Sequence, residues 1–176
     1  MVVNTLKKIV LNPEKFTKNE GIAVAESLFG KEEDIKLLLN TFLSSDMRFR
    51  QRSVWVLLGL ITANRNYLKT YESLLIETLL ATDEDSLKRN ILRLLQYFDI
   101  NTKYHGPLID YCFAILTNRK EPIAVHVFAM TVLAKLIKTY PDLQNELITV
   151  LEDNMAQGSA GYKSRANKIL AELHPK

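Results

Sequence analysis

The chain has 176 residues, 47% apolar and 24% charged, with a formal net charge of +3 from 23 basic and 20 acidic side chains. That length bounds one domain with a sizeable core, and so small an excess of charge does not by itself demand nucleic acid or an anionic membrane. The lone Cys112 excludes a disulfide framework and reads as a small buried side chain in the run CFAIL. No window approaches the roughly 18 apolar residues of a membrane span, and the reading is a cytoplasmic protein.

Residues 2–11 suit a short helix with Val3, Leu6 and Val10 inward, interrupted at Asn12-Pro13. Thr17-Lys18-Asn19-Glu20 is a capping box, since Thr17 and Glu20 can each satisfy a backbone N–H of the other. Ile22, Ala25, Leu28 and Phe29 give the following helix its apolar face, and Gly30 suits the position after its end. Residues 1–30 thus form an imperfect opening pair. Helices are then expected over 31–44 and 47–62, joined by Ser44-Ser45-Asp46, and over 70–81 and 85–98, joined by Thr82-Asp83-Glu84. The next run from Pro107 to Asn118 and within Glu121–Tyr140, with Pro122 in a first turn and Pro141 after the stop. The last pair covers 141–157 and 162–173 around the loop GSAG. No stretch alternates with period two, so no sheet is expected.

Aligning the second helix of each pair exposes a repeat. Phe49-Arg50-x-x-Ser53-x-x-Val56-Leu57 matches Leu87-Lys88-x-x-Ile91-x-x-Leu94-Leu95, Val125-His126-x-x-Ala129-x-x-Val132-Leu133 and Tyr162-Lys163-x-x-Ala166-x-x-Ile169-Leu170. The copies start 38, 38 and 37 residues apart, and an apolar residue recurs at offset 11 as Leu60, Phe98, Leu136 and Leu173. Two helices per period of this length signal an α-solenoid. The pattern resembles the HEAT-repeat family, whose second helix carries V-R-x-x-A-x-x-A-L after an acidic turn residue. Asp46, Glu84 and Glu121 hold that acidic place in three copies, and Ser159 replaces it in the fourth. The resemblance covers residues 31–173 and specifies architecture rather than activity. It implies an all-α, right-handed superhelix of about ten helices, one domain with repeats at 31–66, 67–104, 105–140 and 141–176.

Equal offsets become ladders when repeats stack. Offset 1 holds Arg50, Lys88, His126 and Lys163. The resemblance implies that these meet turn carboxylates and carbonyls, with Asp46 and Glu84 as the expected acids, in a structural ladder rather than an anion track. Opposite the buried stripe lie offsets 2, 6 and 9, where second helices of the family line a concave groove. Trp55, the only tryptophan, falls there beside Leu58, and with Arg89, Arg93 and Lys168 it forms the expected partner-binding set. The competing reading packs Trp55 under the N-terminal unit or in a homodimer contact. Charge segregates too: first helices total −8 and second helices +7. First-turn acids explain part of this, and the remainder gives a mildly basic inner face.

No catalytic chemistry emerges. His105, His126 and His174 lie far apart, Cys112 has no CxxC partner, and no metal or cofactor is expected. Gly158-Ser159-Ala160-Gly161 lacks a phosphate-loop ending, no Gly-x-Ser-x-Gly elbow occurs, and no carboxylate pair falls on the inner face. HEAT-like alkylpurine DNA glycosylases need a groove carboxylate, for which Asp99 and Glu172 are the candidates. The mobile-loop signature of the helical lyases is absent. The sequence therefore reads as a non-enzymatic scaffold or adaptor that takes an acidic protein segment, with nucleic-acid binding as the alternative.

Overall fold

A computed structural model describes residues 16–44 and 47–173. The helix expected over 2–11, together with Asp46 and His174, lies outside the described residues. These residues contain nine α-helices and no strand: α1 (Lys18–Ser27), α2 (Glu32–Ser44), α3 (Met47–Ala63), α4 (Glu72–Ala81), α5 (Asp85–Leu95), α6 (His105–Thr117), α7 (Ile123–Ile137), α8 (Gln144–Asp153) and α9 (Ala160–Leu173).

Local chemistry sets the ends. Thr17 Oγ1 accepts from the Glu20 amide at 3.3 Å and the Glu20 carboxylate accepts from the Thr17 amide, completing the capping box at α1. Gly30 has φ 74°, a left-handed value that glycine adopts without a Cβ clash, and it turns the chain into α2. Three 3₁₀ turns, Arg65–Tyr71, Thr102–Tyr104 and Pro141–Leu143, lead into α4, α6 and α8. Asn64 and Asn101 start the first two, each side-chain oxygen accepting the amide two residues on, at 2.9 and 3.1 Å. The first turn takes up residues 70–71 and the third residues 141–143, where the sequence pattern placed regular helix, so α4 and α8 begin two and three residues late. The second lies in the expected linker, and α6 begins at His105, two residues before the expected Pro107. Pro122 takes the cap position of α7, one step before the first turn. Ser159 Oγ accepts from the Tyr162 amide at 3.2 Å and lets α9 start at Ala160.

The repeat pattern is the core. Phe49, Leu87, Val125 and Tyr162 at offset 0 are buried, as are Ser53, Ile91, Ala129 and Ala166 at offset 4. So are Val56, Leu94, Val132 and Ile169 at offset 7, and Leu60, Phe98, Leu136 and Leu173 at offset 11. At offset 8, Leu57, Leu95 and Leu133 are buried and Leu170 is half-buried. Each buried Val, Leu, Ile or Phe among them contributes about 1.5–3 kcal/mol of transfer free energy, and the Ala and Ser positions contribute less.

The chain divides into two compact units after Leu75, within α4. In the first, α1 packs across α3. A Cβ on Gly21 would stand 2.5 Å from Trp55 Cβ, and one on Gly59 would stand 2.7 Å from Ala25 Cβ. The crossing is therefore a glycine-to-backbone approach that no larger residue fits without displacing a helix. In the second unit α7 packs against both α5 and α9, while α6 packs on α7 and α8 on α9. Side chains there reach distant helix ends, two of them about one period away. Lys135 Nζ donates to the Phe98 carbonyl, Asn154 Nδ2 to Leu116 O at 3.1 Å, and Gln144 Nε2 to Leu173 O at 2.7 Å.

Because the α1–α3 approach leaves no room for a methyl group at residue 21, Gly21→Val should destabilise by about 1–3 kcal/mol through overpacking. Urea denaturation checks this, and an unchanged midpoint would mean that α1 does not sit against α3 in solution.

Candidate interaction surface

The offset-1 side chains are held by the protein itself. Arg50, 3% exposed, donates through Nε to the Phe42 carbonyl at 3.2 Å. His126 donates through Nε2 to Asn118 O at 3.0 Å; a carbonyl only accepts, so that nitrogen carries the proton. Both bonds run back eight residues, from the second helix of a pair to the C-terminal end of its first. Lys88 Nζ instead reaches Glu121 Oε1 at 2.8 Å, an acid in the turn of the following repeat, with both side chains 10% exposed. Glu84, the acid expected for it, accepts from Ser86 Oγ at 3.0 Å. Lys163 is exposed.

The second unit carries the basic part of the expected groove set. Arg89 and Arg93 lie one turn apart on α5, and Lys168 is exposed on α9. The Arg93 guanidinium carbon stands 5.9 Å from the centroid of the Phe128 ring on α7, a cation–π separation. Burial, and then the neighbouring charge of Arg89, pull the Arg93 pKa below the usual arginine range. Between α5 and α9, α7 offers the half-buried Val127 and Thr131 and the buried Ala134. Thr131 Oγ1 donates to Val127 O at 2.8 Å, so its hydroxyl is already engaged. Phe128 was not among the groove residues read from the sequence. It stands at offset 3, at the margin between the buried stripe and the open face, and only its pairing with an arginine one helix away reveals its role.

Trp55 and Leu58 belong to the first unit. Leu58 is 7% exposed, which corrects the expectation that it faces an open groove. Trp55 is half-buried and its Cβ lies against α1 at Gly21. The phase argument treated α3 as having one covered face, whereas α1 covers a second one. The signal in the sequence was the pair Gly21 and Gly59, small residues that permit a close helix crossing.

Other chemical candidates resolve into packing. His105 places Nε2 2.9 Å from Ile100 O and Nδ1 3.0 Å from Tyr140 Oη, which occupies both ring nitrogens. Cys112 is fully buried and its thiol is pushed up to about 12 by burial, the opposite of an activated nucleophile. Among the described residues no three His, Cys, Asp or Glu side chains are grouped to hold a metal, and no helix is long and apolar enough to cross a membrane. One cleft of about 290 Å³ lies beside Tyr67 and Tyr71, and another of about 280 Å³ lies between the turns at Glu121 and Gly158.

Paired helices repeating every 37 or 38 residues, with equal offsets buried in every copy, define a helical-repeat protein. The profile of the HEAT repeat domain matches residues 13–173, and the chain belongs to that family. Neither the curated proteins nor the solved structures gave a match.

The Lys88–Glu121 pair is buried, so removing one partner strands a charge. Lys88→Met should cost about 3–5 kcal/mol, and Lys88→Met with Glu121→Leu should recover most of it. Paired denaturation curves read both values, and equal losses in the single and double variants would rule out the coupling.

Proposed function

We propose that this chain is a non-enzymatic protein-interaction module whose second unit binds an acidic partner segment on the face formed by α5, α7 and α9. HEAT repeat domains typically act as interaction scaffolds, which supports the coarse reading. The finer one is carried by the pairing of Arg89 and Arg93 on α5, with the Arg93 guanidinium seated on Phe128. Val127, Thr131 and Ala134 make a floor of small side chains between those arginines and Lys168. With packed helix axes roughly 8–10 Å apart, the arginines and Lys168 are separated by about 16–20 Å, the reach of about six residues of extended chain.

Three lysines of the same layer are drawn toward protein groups, which favours discrete acidic contacts over a continuous phosphate track. Lys88 pairs with Glu121, Lys135 holds Phe98 O with Asp99 3.7 Å away, and Lys138 stands 3.9 Å from Glu172. A nucleic-acid backbone gains affinity in proportion to the phosphates neutralised, and this face offers few.

Binding of a fluorescein-labelled oligoglutamate peptide, followed by anisotropy, tests the reading. Arg89→Glu with Arg93→Glu should weaken it by about tenfold or more, while Glu152→Gln on α8 should leave it unchanged. Equal affinity in the arginine variant, or tighter and steeply salt-dependent binding of an oligonucleotide, would overturn it.

A further inference from the structure

We propose that the cleft beside Tyr67 and Tyr71 in the first unit is a second binding site, a seat for an alkylammonium group. It shares no residue with the α5–α7–α9 face, and the two readings stand or fall separately.

The cleft holds about 290 Å³, and the fold brings its walls together from Gly30 after α1, Glu32 and Ile35 on α2, and Tyr67 and Tyr71 of the 3₁₀ turn. That volume lies at the lower end of small-ligand sites and suits one small head group. The Tyr67 ring stacks on Phe29, with centroids 5.3 Å apart and planes 12° from parallel, which holds the ring and covers only one of its faces. Aromatic faces carry negative π density that attracts cations. Carboxylates add to that pull. Glu32 stands in the lining, and the Tyr71 hydroxyl is pushed up first by burial and then by the negative charges of Glu33 and Glu32. Among the described residues neither carboxylate is paired with a lysine or arginine, and no lysine or arginine lines the cleft. Lys69 of the same turn is paired with Glu72 at 3.0 Å. The dipole of α2 accounts for acids in its first turn, but not for two tyrosines beside them. An anion would meet uncompensated carboxylates here, and a neutral apolar group would gain nothing from them. A cation with an apolar coat gains from the acids, from the rings and from the buried Ile35.

The test follows backbone amide shifts of the full chain, labelled with nitrogen-15, during titration with tetramethylammonium chloride. Matched sodium chloride and tert-butanol, a neutral molecule of similar shape, are the controls. Tetramethylammonium should give saturable shifts at residues 30–35 and 64–71, and neither control should. Tyr67→Leu should weaken binding about two- to fivefold, the contribution of one aromatic face at an exposed site. Glu32→Gln with Glu33→Gln changes two exposed positions and leaves the core intact, and it should weaken binding by a similar factor. Equal affinity for tetramethylammonium and tert-butanol, unchanged affinity in the glutamine variant, or no saturable shift at those residues would overturn the seat. A second arm uses a hexapeptide with one trimethyllysine, the same head group on a partner's side chain. Tighter saturation of the same amides by the peptide assigns the group to a partner, and saturation by tetramethylammonium alone assigns it to a free small cation.

Discussion

Every α-helix ends in carbonyls that have no partner within the helix, and a stack of short helices multiplies such ends. Where those ends are buried, water is excluded and side chains must take its place. The protein meets this with donors placed at matching points of the repeat. Arg50 and His126 cap Phe42 and Asn118 within their own helix pairs. Lys135 and Asn154 reach Phe98 and Leu116 from another helix pair of the second unit, and Gln144 reaches Leu173 within the last pair. An unsatisfied buried acceptor costs about 1–3 kcal/mol, so these bonds do more than decorate the hydrophobic ladder. They fix how far one helix pair is displaced from the next, which apolar burial alone would leave free to slide.

The same constraint shapes the surface. Three of the donors that meet helix ends are cations or imidazoles, and placing them there removes them from the pool available to a partner. Lys88 is withdrawn in a different way, by the buried carboxylate of Glu121. On the α5–α7–α9 layer, the cations proposed for a partner are Arg89, Arg93 and Lys168. Phe128, supplied by the neighbouring helix, then gives one arginine a defined position. Under the proposed function, recognition by this face follows from how the stack satisfies its backbone.

The fold was legible because its determinants are periodic. Val125, Ala129, Val132 and Leu136 recur as a buried stripe in the other copies, and burial depends on helix phase, which sequence records directly. The capping box at Thr17 and the turn at Gly30 were legible for a local reason: each needs residues only a few positions apart. What sequence concealed depends on which helix lies against which. Leu58 and Trp55 have the phase of an open face, yet α1 packs there through Gly21 and Gly59. The pairing of Lys88 with Glu121 spans 33 residues and competes with the nearer Glu84. The 3₁₀ turn from Arg65 to Tyr71 keeps apolar spacing close to that of a helix, with only Asn64 marking the difference.

Lys135 tests most directly the claim that donors from one helix pair hold the ends of another. Hydrogen exchange should be compared between the native chain and Lys135→Met, which keeps the aliphatic stem and deletes the ammonium group. The account predicts faster exchange at the C-terminal end of α5, around residues 94–98, although those amides lie about one period away in sequence. Faster exchange confined to the turn of α7 that contains residue 135, with the end of α5 unchanged, would contradict it.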